Sequence, residues 1–237
     1  MQNMTSAICA SATTPSAAAT TIVTSASAYT NPETQVPQMT LTDRRDSVSY
    51  QIRKLADGNC WMAQNLRLQA GLTMNSSNTD NPASGFSMTS SSSWGYTNPP
   101  TTAYVNTTGT ASNGYWHNWK AATANTGDSI TSGEASGSIC PRYWGLPTRT
   151  QFNTLLSTYS VTSNGYGAKM TANPISMPYA GVWSNYTSGG VGSTGYYWSR
   201  TAGSASYAYY LNFGSGSAGT YSYLYRLNGF SVRCLVK

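Results

Sequence analysis

Residues 196–234 read YYWSRTAGSASYAYYLNFGSGSAGTYSYLYRLNGFSVRC. YYWSR opens the stretch and GFSVRC closes it, and both ends are sharply specified. Between residues 196 and 227, Tyr, Ser, Gly and Ala fill 22 of 32 positions. Successive side chains of a strand point to opposite faces. In AYYLNF at 208–213, Tyr209, Leu211 and Phe213 therefore share one face, while Ala208, Tyr210 and Asn212 share the other. The first set is expected in the core and the second against solvent or a ligand. Phe230, Val232 and Cys234 of GFSVRC share a face in the same way. Residues 173–237 as a whole show short aromatic runs separated by Gly and Ser, without a helical period. They predict an irregular antiparallel sheet.

Upstream segments supply a few short helices. In ICPRYWGLPTRTQFNTLLSTY at 139–159, Phe152, Leu155 and Leu156 fall on one helical face, and Thr148 or Thr150 serves as its N-cap. YWHNWKAATA at 115–124 sets Trp116, Trp119 and Ala122 at helix-like spacings. Residues 39–55 read as a hairpin in which Tyr50 and Ile52 alternate with polar neighbours. Residues 69–113 form a long polar passage, and loops of that length usually carry function or some structure of their own. Residues 1–40 are a Ser/Thr/Ala-rich arm and residues 41–237 a single folded domain. The fold class is α+β.

Composition narrows the function. Only 8% of the 237 residues are charged, which argues against ordinary disorder. Seven Trp and eighteen Tyr supply core area where Leu and Ile are scarce. The net charge of +6 suggests nucleic acid, yet no basic run exceeds two residues, so a mildly basic surface is the better reading. The acids stop at Glu134, and residues 135–237 contain no carboxylate side chain. Calcium needs several oxygen ligands, usually including carboxylates. A calcium-bridged sugar site in the C-terminal loops is therefore excluded.

Cys9, Cys60, Cys140 and Cys234 show no CxxC spacing, and His117 is the single histidine. That set does not suit zinc. An even count in a Ser/Thr/Asn/Gly-rich chain reads as two disulfides in an oxidising compartment, with three possible pairings. No apolar stretch is long enough to span a membrane, and no charged start precedes an apolar leader region. His117 lies in an aromatic block with no acid nearby, so a packed or surface histidine is favoured over a general base.

Six blocks occur in order: LADGNCWMAQNLRL at 55–68, YWHNWKAA at 115–122, ICPRYWGLPT at 139–148, YYWSRTA at 196–202, AYYLNF at 208–213 and GFSVRC at 229–234. Over residues 41–237 the chain resembles the Fibrobacter succinogenes major paralogous domain family of bacterial surface and secreted proteins. In the family the third block usually reads closer to ICPkGWhLPT, and here it is ICPRYWGLPT, a small departure that does not disturb the resemblance. The resemblance implies a C-type-lectin-like fold with short helices, a small irregular antiparallel sheet and long loops. It also implies kinship with formylglycine-generating enzymes and with the variable proteins of diversity-generating retroelements. In those systems an error-prone copy of a template rewrites Asn codons into Tyr, Ser, Ala, Gly and others. The 196–227 composition fits that alphabet, and Tyr210 stands where family members often carry Asn. Trp198, Leu211, Phe213, Gly229, Phe230 and Val232 keep the family pattern.

Antibody paratopes use the same residues, because Tyr gives large contact area at low entropy cost while Ser and Gly adapt. Tyr207, Tyr210, Tyr221, Tyr223 and Tyr225 are the main contact candidates, with Ser204, Ser206, Ser215 and Ser217 beside them. Alanine at these tyrosines is expected to leave melting nearly unchanged. The expected function is non-enzymatic recognition of a protein or glycan on another cell, a host or a phage, from an extracellular or cell-surface position. No cofactor and no nucleic acid partner are expected. A self-assembling surface or pilus subunit and a cysteine-dependent enzyme of the formylglycine-generating type are the alternatives.

Overall fold

SYQIRK at 49–54 forms a strand with Tyr50 and Ile52 buried, as the alternation requires. This description rests on a computed structural model, and it covers residues 38–94, 97–110, 112–161 and 167–236. The first strands are β1 (Gln38–Thr42), β2 (Ser49–Lys54), β3 (Cys60–Met62), β4 (Thr79–Asp80), β5 (Thr89–Ser90), β6 (Tyr104–Asn106) and β7 (Trp116–His117). Helix α1 (Trp119–Ala122) precedes β8 (Gly133–Glu134), β9 (Ser138–Pro141) and β10 (Trp144–Gly145). Helices α2 (Arg149–Thr158) and α3 (Gly167–Thr171) follow, then β11 (Val182–Ser184) and β12 (Thr187–Gly189). The chain continues through β13 (Thr194–Ala202), β14 (Tyr207–Gly214), β15 (Ala218–Tyr225) and β16 (Leu235–Val236).

These elements make a mixed α+β fold of small, mostly antiparallel sheets. The five-stranded sheet runs β1-β2-β3-β16-β10, so the C-terminal strand sits between elements from early and middle chain. β1 begins at Gln38, so the sheet reaches into the stretch assigned to the arm. The four-stranded sheet runs β15-β14-β13-β8 and carries the stretch quoted first.

Helix α2 forms where the 3.6-residue period predicted it. Thr148 is its N-cap, with a complete capping box to Gln151, and Phe152, Leu155 and Leu156 are buried. Those three pack with Tyr197, Leu211 and Phe213 on one face of the four-stranded sheet. Trp198, Ala208, Phe230 and Val232 belong to the larger core cluster on the other face. Each fully buried large apolar side chain contributes about 1.5–3 kcal/mol. The sheet is thus covered on both sides, as a middle layer.

Double coverage corrects the face assignment. Leu211 and Phe213 are core, as expected, but the opposite face is not open. Ala208 is fully buried and Tyr210 is half-buried against the larger cluster. Tyr209, expected in the core, is only partly covered. Arg149 rests over its ring at 4.2 Å.

Cys140 and Cys234 form a disulfide, and both are buried. It joins β9 to the residue preceding β16, across a sequence separation of 94. Cys60 is also disulfide-bonded. Cys9 lies outside the described residues. No helix among the described residues is long and apolar enough to cross a membrane.

Candidate functional site

The nine contact candidates lie on two turns and two strands. Ser204 and Ser206 stand in the β13–β14 turn, and Ser215 and Ser217 in the β14–β15 turn at the other end of the hairpin. β14 separates the turns by about 24 Å at 3.4 Å per residue. Tyr207 and Tyr210 are on β14, and Tyr221 and Tyr225 on β15. The side chain of Tyr223 lies outside the described residues. The candidates therefore form a long strip, not one compact patch.

Register sets which tyrosines meet. Tyr207 pairs with Tyr225, and Tyr210 with Tyr221, with an irregularity between Ala208 and Tyr210. The Tyr207 and Tyr225 rings stack at 5.0 Å. A hydrogen bond with Tyr225 raises the Tyr207 pKa above its ordinary value. On the other face, Tyr210 lies 6.3 Å from Tyr221, 6.1 Å from Tyr196 and 5.2 Å from Phe230. Burial, together with Tyr196 and Tyr221, pushes the Tyr210 phenol up to about 12. Both groups stay neutral at physiological pH.

Exposure grades the candidates. Tyr221 and Tyr225 are 44% and 47% exposed, and Ser215 and Ser217 are exposed too. Tyr207, Ser204 and Ser206 are partly covered. Ser204 is occupied internally, because its hydroxyl oxygen accepts from the Ser206 and Tyr207 backbone N–H groups, each at 3.2 Å. The anchors between the candidates are all buried, from Trp198, Leu211 and Phe213 to Phe230 and Val232.

Arg226 braces the β13–β14 turn from beneath. Its guanidinium donates to the carbonyls of Ser204, Tyr207, Gly127 and Ile130 and lies 4.1 Å over the Trp119 ring. Burial lowers its pKa to about 10, so it remains charged at neutral pH. Arg233 is buried likewise and donates to Asn65 Oδ1 and to the carbonyls of Met62 and Ser176. Both use carbonyl or amide oxygens in a segment that has no acids. Asn98 adds a bond from Nδ2 to the Ser206 carbonyl at 3.1 Å. These bonds tie the turn's backbone to the core from several sides.

Two residues of this surface, Tyr196 and Arg149, had no local signal. Tyr196 reaches the cluster through register with Asn212 beside Tyr210. Arg149 reaches Tyr209 from a helix 60 residues upstream. Gly229 is enclosed by Trp94, Trp116 and Trp183, whose atoms lie 2.7, 3.0 and 2.9 Å from where its Cβ would stand. Tyr143 and Tyr186 are exposed at positive φ, 71° and 63°.

Among the described residues His117 meets backbone and no acid. His117 is fully buried, with Nε2 3.1 Å from the Leu68 carbonyl, and burial pushes its pKa down to about 4. Among the described residues no three His, Cys, Asp or Glu side chains come together to hold a metal. An open depression of about 420 Å³ is lined by Asn113, Ser176, Pro178, Tyr179 and Val191, among others, and none of the contact candidates lines it. Comparison of the chain with family models, curated proteins and solved structures gives no match.

Proposed function

We propose that this chain is an extracellular binding protein of the C-type-lectin-like class, whose Tyr/Ser/Gly/Ala-rich strip has been diversified by a retroelement to recognise macromolecules on other cells, hosts or phages. One observation carries the reading. Within residues 196–234, the positions keeping the family pattern are buried, while the most exposed positions use the retroelement alphabet: Ser215, Ser217, Tyr221 and Tyr225. A scaffold that tolerates rewriting needs that separation, since core changes cost several kcal/mol and surface changes little.

Tyr143 supports the family resemblance separately. It adopts φ 71°, the left-handed region that favours glycine, at the position where the family pattern has Gly. The closed, buried Cys140–Cys234 bond fits an oxidising compartment and weighs against a cysteine-dependent enzyme.

The test is genomic and then biochemical. The locus should hold a reverse transcriptase and a near-copy of the codons for 196–227, differing at template adenines. A locus without that near-copy removes the retroelement from the reading. A ligand selected against the folded chain should lose affinity with Tyr221→Ala and Tyr225→Ala. Unchanged affinity in both variants removes the binding strip.

A further inference from the structure

β15 is the terminal strand of its sheet. Its inner side pairs with β14 from Tyr207↔Tyr225 to Phe213↔Ala218. Among the described residues no strand pairs with its outer side. Alternate residues of such a strand turn N–H and C=O groups outward, a ready template for another strand. Natural edges are commonly blunted by Lys, Pro or an inward charge. β15 reads AGTYSYLY and has none of these. It runs through the tyrosine strip, whose length calls for an extended partner rather than a compact one.

Charge decides what that partner is. Arg149 is exposed at the first position of α2. Its guanidinium covers Tyr209 at 4.2 Å, and Nε reaches Thr220 of β15 at 3.4 Å. Residues 135–237 offer no carboxylate side chain to balance it. Glu134 belongs to β8, the opposite edge of the same sheet, where it accepts from Thr201. The Thr201 hydroxyl that donates to Glu134 also accepts from the Arg149 backbone N–H at 2.8 Å, so this acid lies beside the Arg149 backbone, while the guanidinium extends away from it across β14 to β15. At the far end of β15, Arg226 is buried, and Asp128 is paired with Lys120. Among the described residues, the charge that reaches this edge is the Arg149 guanidinium. Two copies joined β15 to β15 would crowd both Arg149 side chains onto one short stretch. An acidic strand meets the opposite charge instead.

We propose that the outer edge of β15 accepts an extended, acidic segment of a partner protein as an added strand, with Arg149 pairing one of its carboxylates. This rests on the binding role proposed above and adds the mode and charge of the partner. Main-chain bonds would supply affinity, and the flanking Tyr221 and Tyr225 selectivity.

The test uses amide hydrogen exchange on the full chain, with two capped octapeptides as probes, one alternating Thr and Glu and one alternating Thr and Lys. The outward amides of 218–225 should exchange freely in the unliganded chain. The Glu peptide should slow them by about tenfold or more, and the Lys peptide should not. Arg149→Glu should invert the preference, and Arg149→Gln should abolish it. Glu suits the first turn of a helix, so the charge reversal should still fold. The proposal is overturned by amides already protected in the dilute free chain, by protection that grows with protein concentration alone, by equal protection from both peptides, or by none. If it fails while Tyr221→Ala and Tyr225→Ala still abolish binding of a selected ligand, the binding role stands and only the edge mode falls. If those variants lose nothing, the binding role itself falls.

Discussion

Tyr210 and Tyr221 face each other across β14 and β15, yet alanine should affect them very differently. Tyr210 is half-buried, with Phe230 at 5.2 Å, Tyr196 at 6.1 Å and Trp198 at 6.4 Å. A fully buried aromatic covers roughly 150–250 Å². Half of that is about 100 Å², worth about 2.5 kcal/mol at 25 cal/mol/Å². For a chain of this size the loss lowers Tm by about 5–10 °C. Tyr221 is 44% exposed, and its ring lies against Tyr210 and over Gly219. Its removal should cost about the ring-pair energy of 0.5–1.5 kcal/mol, a shift of roughly 1–6 °C. The assay is thermal unfolding of Tyr210→Ala, Tyr221→Ala and Tyr210→Phe under identical buffer, with urea unfolding as a check. Tyr210→Phe keeps the ring and should retain most of the stability. Equal losses in the two alanine variants, or a Tyr210→Ala loss below about 1 kcal/mol, would refute the two-sided packing of the sheet.

Gly229→Ala should destabilise by about 1–3 kcal/mol or more, measured by urea unfolding, because a Cβ there would stand 2.7–3.0 Å from atoms of three tryptophans. Stability should fall as pH drops from 6.5 toward 4. His117 has its folded pKa lowered to about 4, so the unfolded chain takes the proton first, and the full effect is about 3 kcal/mol. His117→Gln should flatten that part of a pH series of unfolding curves. Tyr143→Ile should cost about 1–2 kcal/mol more than Tyr143→Gly, because β-branched residues fit φ 71° poorly, and thermal melts of the two variants measure the difference. Breaking the Cys140–Cys234 bond by paired Ser substitution should cost about 2–5 kcal/mol, given a loop of 94 residues, again read by unfolding.

Local patterns were enough for the elements that local physics dictates. The capping box at Thr148 and the apolar face of α2 depend on residues a few positions apart, so the helix was legible. So were the β1–β2 hairpin and the core role of Leu211 and Phe213, since alternation places those two on one side of β14. Alternation also assigned Tyr210 correctly to the face opposite Leu211. It was silent on what covers that face, because Trp198 arrives from β13 and Phe230 from the segment between β15 and β16.

What the sequence by itself determined is a buried frame at regular spacing, with a permissive alphabet between its members. Only the tertiary structure decided which permissive positions reach solvent. Tyr221 and Tyr225 do so because β15 ends its sheet, whereas Tyr210, of the same residue type, is half-covered because β14 does not. Strand order and register join residues distant in the chain, so exposure at those tyrosines is a property of neighbours that no local period encodes.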